Sequence, residues 1–95
     1  MTILERKKQI KTLVATGNVH EAIKRAMDFV EDFGQSNNLT NEIVLISSNF
    51  FDVQRLKNMD IADFAELSRQ QNRILLRMLT LLDEVETMFA LTSAE

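Results

Sequence analysis

Ninety-five residues, 45% of them hydrophobic and 26% charged, are enough for one domain with a core and leave no room for a second. No Pro and only two Gly interrupt the chain, which predicts a helical globule, and the absence of Cys excludes disulfides, thiolate metal sites and cysteine nucleophiles while fitting a reducing, cytoplasmic setting. A net charge of −3 with no Trp or Tyr argues against a nucleic-acid partner, which calls for a basic domain with aromatic or polar readers.

The first eight residues carry basic side chains but no apolar run behind them, so they do not form a signal peptide. Thr2 with Glu5 three positions on is a capping-box pattern and starts a first helix at about 2–16, made basic by Arg6, Lys7, Lys8 and Lys11. Gly17 ends it, as residues just past a helix C-cap do. Asn18 with Glu21 starts a second helix at about 19–33, in which Val19, Ile23, Ala26, Val30 and Phe33 recur at three and four and predict one buried stripe. Gly34 closes that helix in the same way as Gly17. The lone His20 is expected to be an exposed helix-start residue, because metal sites need three or four convergent ligands and acid–base chemistry needs a placed partner. Asp28, Glu31 and Asp32 form a charged helix face. Neither Gly lies in a phosphate-cradling pattern, so no catalytic, cofactor or metal site is expected, and the chain is not expected to be an enzyme.

Residues 35–38 are the most loop-like, and Asn38 with Asn41 gives a weaker start for a third helix at about 39–59, with Leu39, Ile43, Ile46, Phe50 and Val53 as its stripe. Asp63 with Glu66 starts the fourth, at about 64–90. There Phe64, Leu67, Gln71, Ile74, Met78, Leu81, Val85 and Met88 step three and four, with Leu75, Leu82 and Phe89 widening the face. Short loops make successive helices antiparallel. The predicted fold is therefore all-α, an antiparallel four-helix bundle with two long C-terminal helices, spanning 1–95 as one domain. If the last two helices fold back around residues 60–62, Ser47, Ser48 and Asn49 come level with Asn72 and Arg73, a polar layer of Ser47, Ser48 and Asn72 that would fix the register. The five Met residues are expected to fill the core. The longest apolar run, broken by Arg77 and Thr80, is far short of the ~20 residues of a membrane span, so no membrane partner is expected.

The run from Ile74 to Leu82 is apolar around nearly the whole circumference of its helix, more than one buried stripe needs, so something else should cover the other side. Arg69, Arg73 and Arg77 form a like-charge ladder at i, i+4, each pair unfavourable by ~0.2–0.5 kcal/mol, and neither Arg73 nor Arg77 has an acid three or four residues away. Their partner is either the acidic end of the second helix (Asp28, Glu31, Asp32) or another chain. Leu76 projects opposite the seam and Leu79 lies at its edge, so that beside Arg73 and Arg77 they have the apolar-plus-Arg makeup of interface hot spots. From Asp83 onward the acids meet no Lys or Arg, so the basic start and the acidic end of the chain should attract each other, within one molecule or between neighbours, and Lys7, Lys8 and Lys11 are expected to meet Asp83, Glu84 and Glu86 across an asymmetric contact.

Several of these residues also carry a family resemblance. Asn41-Glu42, Ser47-Ser48 and Asn72-Arg73-Ile74 at their mutual spacing, with Phe50, Asp63 and Glu66 between them and Gly17-Asn18-Val19 before Glu21-Ala22-Ile23, resemble the eleventh family of bacterial effector-associated domains over about residues 10–86. Thr40 and residues 58–62 depart from the family's usual aromatic and Gly-containing turn. The resemblance implies a non-catalytic adaptor of prokaryotic conflict systems, fused to effectors such as trypsin-like or caspase-like peptidases or TIR domains, or to NTPase sensors, and acting by like-with-like association. Its role is comparable to that of animal death-fold domains, but four helices, two of them long, do not resemble that six-helix fold. The expected partner is thus the chain itself or a like domain, in a homo-oligomer. A structural oligomerisation module, or a small regulator of another protein, is the alternative.

Overall fold

The computed structural model describes residues 2–34, 36–59 and 63–93, and among them the only regular elements are four helices: α1 (Ile3–Ala15), α2 (Val19–Phe33), α3 (Asn37–Met59) and α4 (Phe64–Ser93). The expected turn at residues 60–62 lies outside the described residues.

Local chemistry explains the helix ends. At Thr2 the hydroxyl oxygen accepts from the Glu5 N–H at 3.1 Å and the hydroxyl donates to the Glu5 carboxylate at 3.0 Å, so the pair closes on itself. Gly17, at φ 83°, closes α1 as a Schellman turn, with the Asn18 N–H reaching the Leu13 carbonyl at 2.8 Å and the Gly17 N–H reaching Val14 at 3.2 Å. Nothing crowds a Cβ at that position, so any other L-residue would cost about 1 kcal/mol through its backbone alone. Gly34 works differently from the expectation. Its φ is −72°, and it is a close approach that calls for glycine, since a Cβ would lie 2.4 Å from the Val30 carbonyl oxygen.

Two of the expected caps are corrected. Asn18 makes no side-chain cap bond to α2 and instead donates to the Thr16 hydroxyl at 3.1 Å. The third helix starts two residues early because Ser36 accepts the Asn38 N–H at 3.1 Å, so Ser36, not Asn38, is the cap. At α4, Asp63 accepts from the Ala65 N–H at 2.9 Å, while Glu66 turns to Arg69.

Helices α2 and α4 each pack against the other three, whereas α1 and α3 do not reach each other among the described residues. The core lies between them: Ile10 from α1, Ala22, Ile23, Ala26, Phe29 and Val30 from α2, Leu39, Ile43, Ile46 and Phe50 from α3, and Met78, Leu81, Leu82 and Val85 from α4. Val53 and Leu67 are buried but sit apart from this cluster. The reason is length. Helices of 13 and 15 residues cannot cover partners of 23 and 30, so one end of α3 and α4 runs beyond the four-helix core as a two-helix layer. The molecule is accordingly long and flat, 52 × 26 × 16 Å.

Candidate interaction surface

Helix α4 presents Leu76 to solvent, 66% exposed, and holds Leu79 half-buried against the core. The arginine ladder resolves residue by residue. Arg69 meets Glu66 in its own helix, and Arg77 meets Glu42 of α3, both at 3.5 Å, while Arg73 is exposed and, among the described residues, has no acid partner. The acids of α2 do not serve it. Asp32 is taken by Arg6 at 2.6 Å, whose guanidinium lies 5.0 Å from the Phe33 ring, and Asp28 and Glu31 are exposed without an ion pair among the described residues.

Of the two ways in which the basic and acidic ends are expected to attract, the central members meet inside one chain, which corrects their assignment to an asymmetric contact. Lys7, half-buried between α1 and α4, pairs with both Asp83 and Glu86, and Lys11 approaches Asp83 at 4.0 Å. Lys8 and Glu84 remain exposed and unpaired among the described residues. Burial lowers the Lys7 pKa, but the hydrogen bonds and charges of Asp83 and Glu86 together outweigh it and hold the ammonium above its ordinary 10.5. Asp83 is held below its ordinary 3.8 by the hydrogen bond from Lys7, against a smaller opposing effect of burial, with the charges of Lys7 and Lys11 adding to it. A raised lysine stabilises the fold fully below 10.5 and ceases to as pH rises through its folded value; a lowered aspartate does so above 3.8 and ceases to as pH falls through its folded value. The α1–α4 clasp is therefore intact between those limits. Because Asp83 is more than half exposed, Asp83→Asn is expected to cost only about 0.5 kcal/mol at neutral pH, and urea denaturation should show that difference closing as pH drops below the folded pKa of Asp83.

The expected polar layer does not form. Ser47 is buried and faces α2, while Ser48 and Asn72 are exposed, and no hydrogen bond joins the three. Besides the Arg77–Glu42 pair, polar contact between α3 and α4 runs through Gln71, which donates to Gln54 at 3.0 Å and accepts from Lys57 at 2.7 Å; the Lys57 ammonium also sits 4.8 Å from the Phe64 ring centre. One face of the two-helix layer is thus closed by polar groups. Its other face opens as a groove of about 600 Å³, with Val53, Leu56 and Ile74 as its apolar lining and Asn49, Asp52, Gln70, Arg73 and Arg77 around them.

A second surface was not legible in the sequence. Between α2 and α3 a hollow of about 350 Å³ is lined by His20, Ile23, Met27, Ser47 and Phe51, with Glu21 and Lys24 also at it. His20 is exposed as expected, with its ring 5.7 Å edge-on from Phe50 and 5.3 Å from Phe51. Of the described methionines only Met78 is fully buried, which corrects their reading as core filler. Phe51 fell one position off the α3 stripe, so spacing alone assigned it no role.

Among the described residues no three His, Asp or Glu side chains are grouped to hold a metal, and no helix is long and apolar enough to cross a membrane. What these surfaces offer is apolar area beside uncompensated charge, the chemistry of binding. The sequence model of one family, effector-associated domain 11, matches residues 5–86. No curated protein and no solved structure matches the chain.

Proposed function

Because this chain belongs to the effector-associated domain 11 family, we propose that it is a non-catalytic adaptor that binds copies of itself, or like domains on other proteins, and thereby couples or clusters an effector with a sensor in a bacterial immune system. The effectors that fit the family are peptidases, caspase-like enzymes or TIR domains, and the setting is the cytoplasm. The arrangement we assign is an antiparallel bundle. Supporting it, Lys57 near the end of α3 meets Gln71 early in α4, while Glu42 near the start of α3 meets Arg77 further along α4.

One observation carries the reading: α3 and α4 outrun their neighbours and leave an apolar groove open beside exposed Leu76 and an Arg73 that no acid neutralises among the described residues. Two helices alone cannot enclose the side chains between them, so a layer of this kind is completed by another element. A structural module in which α4 pairs with its own twin would use the same surface, but twin pairing sets cation against cation along the ladder.

Light scattering over a wide concentration range tests the proposal. The average mass should rise with concentration and fall with added salt, since exposed charge pairs are screened. A mass of one chain at every concentration would overturn self-association and leave only binding to like domains on other proteins.

A further inference from the structure

On the exposed face of α4 the two charges that the fold leaves unmatched are opposite in sign, and we infer that two copies join along this face as an antiparallel, two-fold pair in which Arg73 of each meets Glu84 of the other. The inference rests on the self-association proposed above and names the face and the symmetry by which it occurs.

Among the described residues, the exposed charges without an ion pair are Lys8 on α1, Lys24, Asp28 and Glu31 on α2, and Arg73 and Glu84 on α4. Those of α2 mix signs at i, i+4, with Lys24 four residues before Asp28, whereas those of α4 are segregated. Arg73 and Glu84 stand about three turns apart along the helix and only about 20° apart around it, too distant to pair within one chain but on one line of its surface. Exposed Thr80 lies on the same line between them. The cation-on-cation clash of twin helices belongs to the parallel arrangement, which would also set Glu84 on Glu84. Reversing one helix about an axis midway between the two residues sets each charge on its opposite, twice per dimer.

The rest of the face suits such a contact. Arg77 and Asp83, which flank the line, are already met by Glu42 and by Lys7 and Lys11 of their own chain. Thr80 and Thr87 donate their hydroxyls to the Leu76 and Asp83 carbonyls at 3.0 Å and 2.9 Å, so neither brings an unpaired donor. Leu76, 66% exposed, comes level with Thr80 of the other copy and supplies apolar area near the axis. Because Arg73 also lines the groove on α3 and α4, the other copy's Glu84 arrives at the groove's edge, beside the one cation there without a partner among the described residues.

Sedimentation velocity on Arg73→Glu and Glu84→Arg, each alone and the two mixed, tests the pairing. A two-fold contact counts each change twice, so each variant alone is expected to associate about tenfold or more weakly than wild type, with helical circular dichroism unchanged because both positions are exposed. Mixed, the variants complement each other at both pairs and should form a heterodimer about as tight as the wild-type dimer. The chain has no Cys, so Leu91→Cys carries a single nitroxide label. Antiparallel pairing puts the two labels on the order of 40 Å apart at ~1.5 Å per residue, and parallel pairing brings them within about 20 Å. If wild type associates but is indifferent to either reversal, if the mixture stays as weak as its parts, or if the labels lie close, this pairing is overturned while self-association stands. A wild type that remains monomeric overturns both.

Discussion

Leu81→Asp is expected to unfold the domain, whereas Leu76→Asp, five residues earlier on the same helix, should keep the helix content of wild type and lose self-association. Leu81 is fully buried in the core cluster. Removing its side chain costs about 2–5 kcal/mol in packing, and a carboxylate buried there with no partner adds several more. Against a total stability on the order of 5–15 kcal/mol, little folded protein would remain. Leu76 is 66% exposed, so the same change costs the isolated chain about 0.5 kcal/mol, mostly helix propensity. What it alters is the surface, replacing an apolar side chain with an anion three residues from Arg73, which both removes contact area and neutralises the cation. Circular dichroism and light scattering together read the two outcomes. Equal unfolding by both variants would place Leu76 in the core and remove the basis for an interface on this face of α4.

The contrast between Leu76 and Leu81 was legible because a helix repeats every 3.6 residues and the fourth segment is long enough to define its phase. Leu67, Met78, Leu81 and Val85 are buried as their spacing requires, and all five apolar positions of the α3 stripe are buried too. Where periodicity misled, the cause was tertiary. Phe64 keeps the phase of the α4 seam but lies at the end where α1 and α2 no longer reach, so it is exposed. Ala22 and Phe29 were absent from the α2 stripe, yet both are fully buried, because α2 packs against three helices and needs a face wider than one stripe.

Charge was less legible than hydrophobicity. The sequence announces that basic α1 and the acidic end of α4 attract, but whether they meet within one chain depends on α1 lying beside α4, which no local pattern encodes. The same holds for Arg77 and Glu42, thirty-five positions apart, and for Arg6 and Asp32. Once these pairs are removed from consideration, Lys8, Lys24, Asp28, Glu31, Arg73 and Glu84 remain as exposed charges whose side chains have no ion pair or hydrogen bond among the described residues. The polar layer failed for a geometric reason: Ser47 faces α2, so the register of α3 on α4 is marked instead by Gln54, Gln71 and Lys57.

Phe29→Ala and Phe64→Ala separate the fold from the bare spacing, since the α2 stripe omits Phe29 while the α4 seam includes Phe64. Phe29 is 0% exposed and begins an aromatic chain across the molecule: its ring lies 5.2 Å from Phe33, which meets Phe89 of α4 edge-on at 5.1 Å and carries the Arg6 guanidinium of α1 at 5.0 Å. Truncating it leaves a cavity in the core cluster and loosens the support on which Phe33 holds both α1 and the end of α4. The expected cost is about 3–5 kcal/mol, a large share of the whole, read as a drop in urea midpoint with little change in slope. Phe64 is 66% exposed and touches Lys57 through its ring face, so Phe64→Ala should cost less than about 1 kcal/mol. The reverse order of effects would mean that the end of the α3–α4 layer is enclosed and that the open groove, on which the adaptor reading depends, is already filled by the chain itself.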